Sequence, residues 1–64
     1  MNTTDAMQLY SVRQAAELAA VSVSTLYVLM ERGALAYVKL GRSRRIERRA
    51  IAELIERGRV PARA

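Results

Sequence analysis

The sequence predicts a mostly α fold: three short helices, with a two-stranded β-hairpin between the second and the third. Three observations predict it. Two apolar-periodic segments, each opened by a serine, are separated only by Ala20, Val21 and Ser22. After Gly33 the helical period gives way to alternation, with Gly41 inside the alternating stretch. A last helical period then runs up to Gly58.

Taken in order, residues 1–8 are polar with weak periodicity and read as a flexible arm; a folded unit over 9–58 follows, then a flexible tail over 59–64. In the first helix, about Val12 to Ala19, Ser11 caps the first turn and Gln14 three residues on completes a capping box. Tyr10 can staple onto Ala15, and Val12, Ala15, Ala16 and Ala19 form a small-residue stripe that lets another helix approach. Ser22 caps the second helix and Gly33 ends it in a left-handed conformation. Leu26, Leu29 and Met30 face inward there, leaving Val23, Ser24, Tyr27, Val28 and Glu31 outward.

In the alternating stretch, Ala36, Val38 and Leu40 share one face with Ile46, and Val38, Leu40 and Ile46 are expected to pack on the helices, while Tyr37 and Lys39 lie opposite. The turn "GRSR" would then leave Arg42, Ser43, Arg44 and Arg45 projecting. The third helix, about Glu47 to Arg57, buries Ala50, Ile51, Leu54 and Ile55; it has a weak cap, a Glu53–Arg57 pair, a stop at Gly58, and Pro61 beyond.

Composition narrows the function. A 64-residue chain supports one domain, with a core contributing only about 3–5 kcal/mol net, so a large catalytic cleft is not expected. Without cysteine or histidine there are no disulfides, thiolate nucleophiles, imidazole bases or common zinc ligands. Three late glutamates read as helix-surface carboxylates, so no catalytic residue, metal or cofactor is expected. No apolar run reaches the roughly 18–20 residues of a membrane span, and the polar start lacks the features of a signal peptide, which predicts a soluble intracellular protein.

The net charge of +5 is local. Lys39, Arg42, Arg44, Arg45, Arg48 and Arg49 stand against Glu47 alone, and the rest of the chain cancels. A cluster of this kind attracts polyanions through counterion release.

Two helices joined by so short a turn form a helix-turn-helix, whose second helix can enter a DNA major groove; a basic glycine-turned hairpin beside it is a wing, giving a winged helix-turn-helix. On such a wing, Arg side chains follow phosphates or reach into a minor groove. Tyr27 and Val28 allow two readings: either Tyr27 folds back over the hairpin and Val28 is a scattered exposed residue, or Val28 touches base edges and Tyr27 donates to a phosphate.

Residues 10 to about 58, through "YSVRQAAELAAVSVSTLY", "RGALAYVKLGRSRRI" and "RRAIAELIERG", resemble the excisionase-type members of the MerR-like winged helix-turn-helix superfamily. Those members commonly carry glycine in the turn where Ala20 stands, and a basic residue where Val28 stands. The resemblance implies a DNA-binding recognition helix using Ser22, Val23, Ser24, Thr25, Tyr27 and Val28, and a wing using Tyr37, Lys39, Arg42, Ser43, Arg44 and Arg45. Arg13, Arg32, Arg48 and Arg49 would be flanking phosphate contacts. It further implies a phage recombination directionality factor in a bacterial cytoplasm, which binds and bends attachment-site double-stranded DNA cooperatively with neighbouring copies of itself and directs an integrase toward prophage excision. No membrane or small-molecule partner is implied. A small transcription regulator of the same fold, and a basic protein-interaction module, remain open at the level of sequence.

Overall fold

The computed structural model describes residues 8–62. In chain order the elements are β1 (Leu9–Ser11), α1 (Val12–Ala19), α2 (Val23–Glu31), β2 (Val38–Leu40), β3 (Ser43–Glu47) and α3 (Arg48–Arg57). The three helices and the hairpin agree with the sequence reading. The strand β1 does not figure in it: the hairpin is part of a three-stranded antiparallel sheet in the order β1-β3-β2. Three residues ending in a helix cap carry no strand signal of their own, and only the partner strand β3 makes them one. Of the arm expected over residues 1–8, residues 1–7 lie outside the described residues, and the Gln8 carbonyl accepts the Arg48 N–H at 3.1 Å.

The helix ends follow from local chemistry. Gln14 N–H donates to Ser11 Oγ at 3.1 Å and Ser11 N–H to Gln14 Oε1 at 3.0 Å, which closes the capping box. On α2, Ser22 Oγ accepts from the Thr25 N–H at 3.1 Å. At its far end Ala34 N–H donates to Leu29 O at 2.8 Å and Gly33 N–H to Met30 O at 3.1 Å, the two bonds of a Schellman motif, with Gly33 at φ 74. Glu47 precedes α3 without a side-chain cap bond.

The turn between α1 and α2 uses the same motif with a less suitable residue. Val21 N–H reaches Ala16 O at 3.0 Å and Ala20 N–H reaches Glu17 O at 3.2 Å, which puts Ala20 at φ 58, ψ 41. A Cβ in this left-handed region is strained by about 1–2 kcal/mol, partly offset in any glycine variant by backbone entropy. Ala20→Gly is therefore expected to stabilise the fold by about 0.5–1 kcal/mol and raise Tm by roughly 4 °C in thermal unfolding.

The core is Val12, Ala15 and Ala16 of α1, Leu26 and Met30 of α2, Leu35, Ile46 of β3, and Ala50 and Ile51 of α3. Tyr10, Leu29 and Leu54 pack against it. The alanines of α1 let α2 come close, as their spacing predicts. Among the described residues no helix is long and apolar enough to cross a membrane.

The face of the hairpin is the main correction. Strand pairing sets Val38 opposite Arg45, Lys39 opposite Arg44 and Leu40 opposite Ser43. Residues directly opposite each other in an antiparallel pair share a face, and faces alternate along a strand. Arg44 therefore shares the core-facing side with Ile46 and Lys39, while Val38 and Leu40 lie on the outer side with Ser43 and Arg45. Leu40 is 54% exposed and Val38 only partly buried, so neither joins the core as expected. Leu35 supplies the core contact in their place, turned inward directly after the Schellman bonds, with its own N–H also on Leu29 O at 3.2 Å. The turn itself is the two residues Gly41 and Arg42 rather than all of "GRSR". Positive φ at Gly41 (63) and not at Arg42 is the sign pattern of a type II′ turn.

In α3, Ile55 is 44% exposed rather than buried. The expected Glu53–Arg57 pair is also replaced, because the Arg57 guanidinium donates to the Ala34 carbonyl and ties the segment after α2 to the last helix. A surface ion pair is worth only tenths of a kcal/mol, so an otherwise unsatisfied loop carbonyl outcompetes it. Within the tail, Arg59 Nε pairs with Glu56 at 2.8 Å, and residues 63–64 lie outside the described residues.

Candidate nucleic-acid interface

The first turns of α2 are open to solvent. Ser22, Val23, Ser24, Thr25, Tyr27 and Val28 are all exposed, while Leu26 and Met30 hold the opposite side in the core. The Ser22 hydroxyl is committed to the cap, and also lies 2.9 Å from Thr25 Oγ1. Ser24 and Val28 are four residues apart on a helix and so lie on one face, which presents a hydroxyl and a branched apolar group side by side.

The hairpin stands beside this helix, and one side chain bridges the two. The Arg44 guanidinium carbon lies 5.3 Å from the centroid of the Tyr27 ring on α2 and 4.6 Å from that of Tyr37, just ahead of β2. Its Nη2 donates to Glu31 Oε2 at 3.2 Å, and its Nη1 lies 4.0 Å from Met30 Sδ. Only 24% of the Arg44 side chain remains exposed, against the expectation that it projects. The cause is strand parity: on the same face as Ile46, it has to run under the sheet toward α2.

Magnitudes rank these contacts. The Glu31 carboxylate is 68% exposed, so the ion pair contributes less than about 1 kcal/mol. A guanidinium partly desolvated over two rings gains roughly 0.5–2 kcal/mol per ring, so stacking dominates the bridge. Tyr27 thus does fold toward the hairpin, and remains 41% exposed on the other side.

The remaining cations divide by position. Lys39 and Arg42 are exposed at the outer end of the hairpin; Ser43 is half-buried beside the turn. Arg45 is half-buried on the outer face, where its Nη1 donates to the Arg44 carbonyl at 3.0 Å. Arg13 on α1, Arg32 at the end of α2, and Arg48 and Arg49 at the start of α3 are exposed. Glu31 is not among the interface residues expected from the sequence. Its signal was the four-residue spacing from Tyr27, which sets a carboxylate beside a ring on one helix face.

The family described as "Helix-turn-helix domain" matches residues 9–59, most of the chain. The chain belongs to that family. The match begins at the first residue of β1 and ends just past α3, so the helix-turn-helix domain here is the whole described fold with its wing. No curated protein and no solved structure matches the chain. A helix-turn-helix domain is a DNA-binding architecture. Among the described residues of this domain, no group of three or more Asp or Glu side chains is arranged to hold a metal ion.

Proposed function

We propose that this helix-turn-helix domain is an excisionase-type accessory protein of site-specific recombination, which binds duplex DNA with α2 in the major groove and the β2–β3 wing on the neighbouring backbone. The observation that carries the DNA-binding part is the side-by-side placement of the open face of α2 and the basic hairpin, bridged by Arg44. A single duplex then meets both. Ser24, Val28, Thr25 and Val23 face the base edges; Val28 suits a thymine methyl, and no cation at that position reads guanine. Tyr37, Lys39, Arg42, Ser43 and Arg45 lie along or near the backbone, with Arg13, Arg32, Arg48 and Arg49 flanking.

The recombination role is supported by the resemblance of residues 10 to about 58 to excisionases. One DNA-binding unit buries less surface on DNA than a dimer or a row of units does. We therefore assign it neighbouring copies on repeated sites, DNA bending between them, and a phage integrase as partner. Footprinting on the DNA flanking the gene, with and without the neighbouring integrase, tests this. Adjacent protected sites and integrase-dependent excision are the expected results. Protection confined to a promoter, with excision unaffected, would move the protein to a transcription regulator of the same fold.

Base reading has its own test. Ser24→Ala combined with Val28→Ala is expected to change the sequence preferred in selection from a randomised duplex pool, at a cost of roughly 1–3 kcal/mol on the preferred site and little on random DNA. Equal losses on both would show that this face does not read bases.

A further inference from the structure

We propose that Arg44 is a positioning residue rather than a phosphate contact: held against Tyr27, Tyr37 and Glu31, it is the joint that fixes the wing's angle on the recognition helix. This rests on the DNA-binding reading above and assigns Arg44 a role different from that of the other wing cations.

The case begins with connectivity. Between α2 and β2 the chain runs through residues 32–37 without regular structure. Toward its turn the ribbon has only two strands, because β1 pairs with residues 45–47 of β3 and not with the part nearer Gly41. A two-stranded ribbon is marginally rigid by itself. Ile46 anchors its base in the core, and Arg44, two residues nearer the turn on the same face, is the next side chain that reaches α2.

The chemistry of the fork agrees with the connectivity. Both terminal nitrogens are engaged, Nη2 by the Glu31 carboxylate and Nη1 by the Met30 sulfur, while the guanidinium carbon lies over two rings. A DNA phosphate at this fork would have to displace Glu31 and would meet its negative charge. Lys39 and Arg42, both exposed, need no such rearrangement. Planarity also matters: a guanidinium stacks and donates from its edge at once, whereas an ammonium on the same charge cannot.

Arg44→Lys and Arg44→Met separate charge from shape. The probes are a duplex selected from a randomised pool by the wild-type chain, and a scrambled duplex of equal length and composition. Arg44→Lys is expected to lose roughly tenfold in affinity for the selected duplex despite its retained charge, to change little on the scrambled one, and to keep the salt slope. In the free protein, 15N relaxation should show wing amides 39–43 dropping toward order parameters below about 0.6 in both variants, with α1 unchanged. If Arg44→Lys keeps full affinity while Arg44→Met flattens the salt slope by about 0.9 on both duplexes, Arg44 is a phosphate contact and the joint is overturned. Unchanged wing relaxation in both variants overturns it equally. Should selection with the wild-type chain enrich no duplex, the DNA-binding reading fails, and the relaxation comparison still decides the joint.

Discussion

Replacing Ile46 with alanine is expected to leave most of the chain unfolded at room temperature. Ile46 is 0% exposed, lies on the central strand of the sheet opposite Tyr10, and joins the sheet to the helices. Truncating a fully buried isoleucine costs about 2–5 kcal/mol, the lost transfer energy plus the cavity. A domain of this size has only about 3–5 kcal/mol in hand, so the variant falls near or below zero net stability. Circular dichroism through a urea titration measures it, the mutant showing no folded baseline. Leu40→Ala is the matching control: at 54% exposure it should cost within about 0.5 kcal/mol. Were Ile46 and Leu40 on one face, as alternation alone suggests, both changes would be damaging. A mild Ile46→Ala together with a severe Leu40→Ala would mean that the strand register is shifted by one residue.

The second large effect is electrostatic. Lys39→Ala with Arg42→Ala removes two exposed cations from the outer end of the wing without touching the core. If each neutralises one phosphate, log K against log salt should flatten by about 1.8, and affinity should fall alike on specific and random duplexes. Titration by fluorescence anisotropy at several salt concentrations reads both quantities. Because surface substitutions of this kind leave stability within about 0.5 kcal/mol, the loss cannot be attributed to unfolding. An unchanged slope would take the wing tip off the DNA. The same titration on Arg44→Lys separates the two kinds of arginine, since one set should move the slope and the other only the affinity for a selected site.

Much of this molecule was legible residue by residue. The capping box of Ser11 and Gln14, the Ser22 cap, and the left-handed helix end at Gly33 each depend on groups within a few positions of one another. Chemistry of that range is written directly in the sequence. The core stripes of α1 and α2 follow from the helical period in the same way. The strain at Ala20 was signalled only through the resemblance, whose members commonly carry glycine at that turn.

The hairpin shows where such reading stops. Alternation says that Val38 and Leu40 share a face, but not which face meets the helices, and the choice fell opposite to the expected one. Parity was settled by Tyr10 pairing with Ile46 across β1 and β3, a contact between residues far apart in the chain. With that parity came the inward turn of Arg44, and with Arg44 the roles of Tyr27, Tyr37 and Glu31.

Where helices start and stop, where the ribbon turns, and where the positive charge gathers were determined by the sequence itself, because each is fixed by neighbours along the chain. Which side of the ribbon is buried, that a third strand completes the sheet, and that one of six clustered cations is folded into a bridge were decided only in the tertiary structure. Those features depend on pairing between distant segments, whose register is selected by the burial of the whole rather than by any local preference.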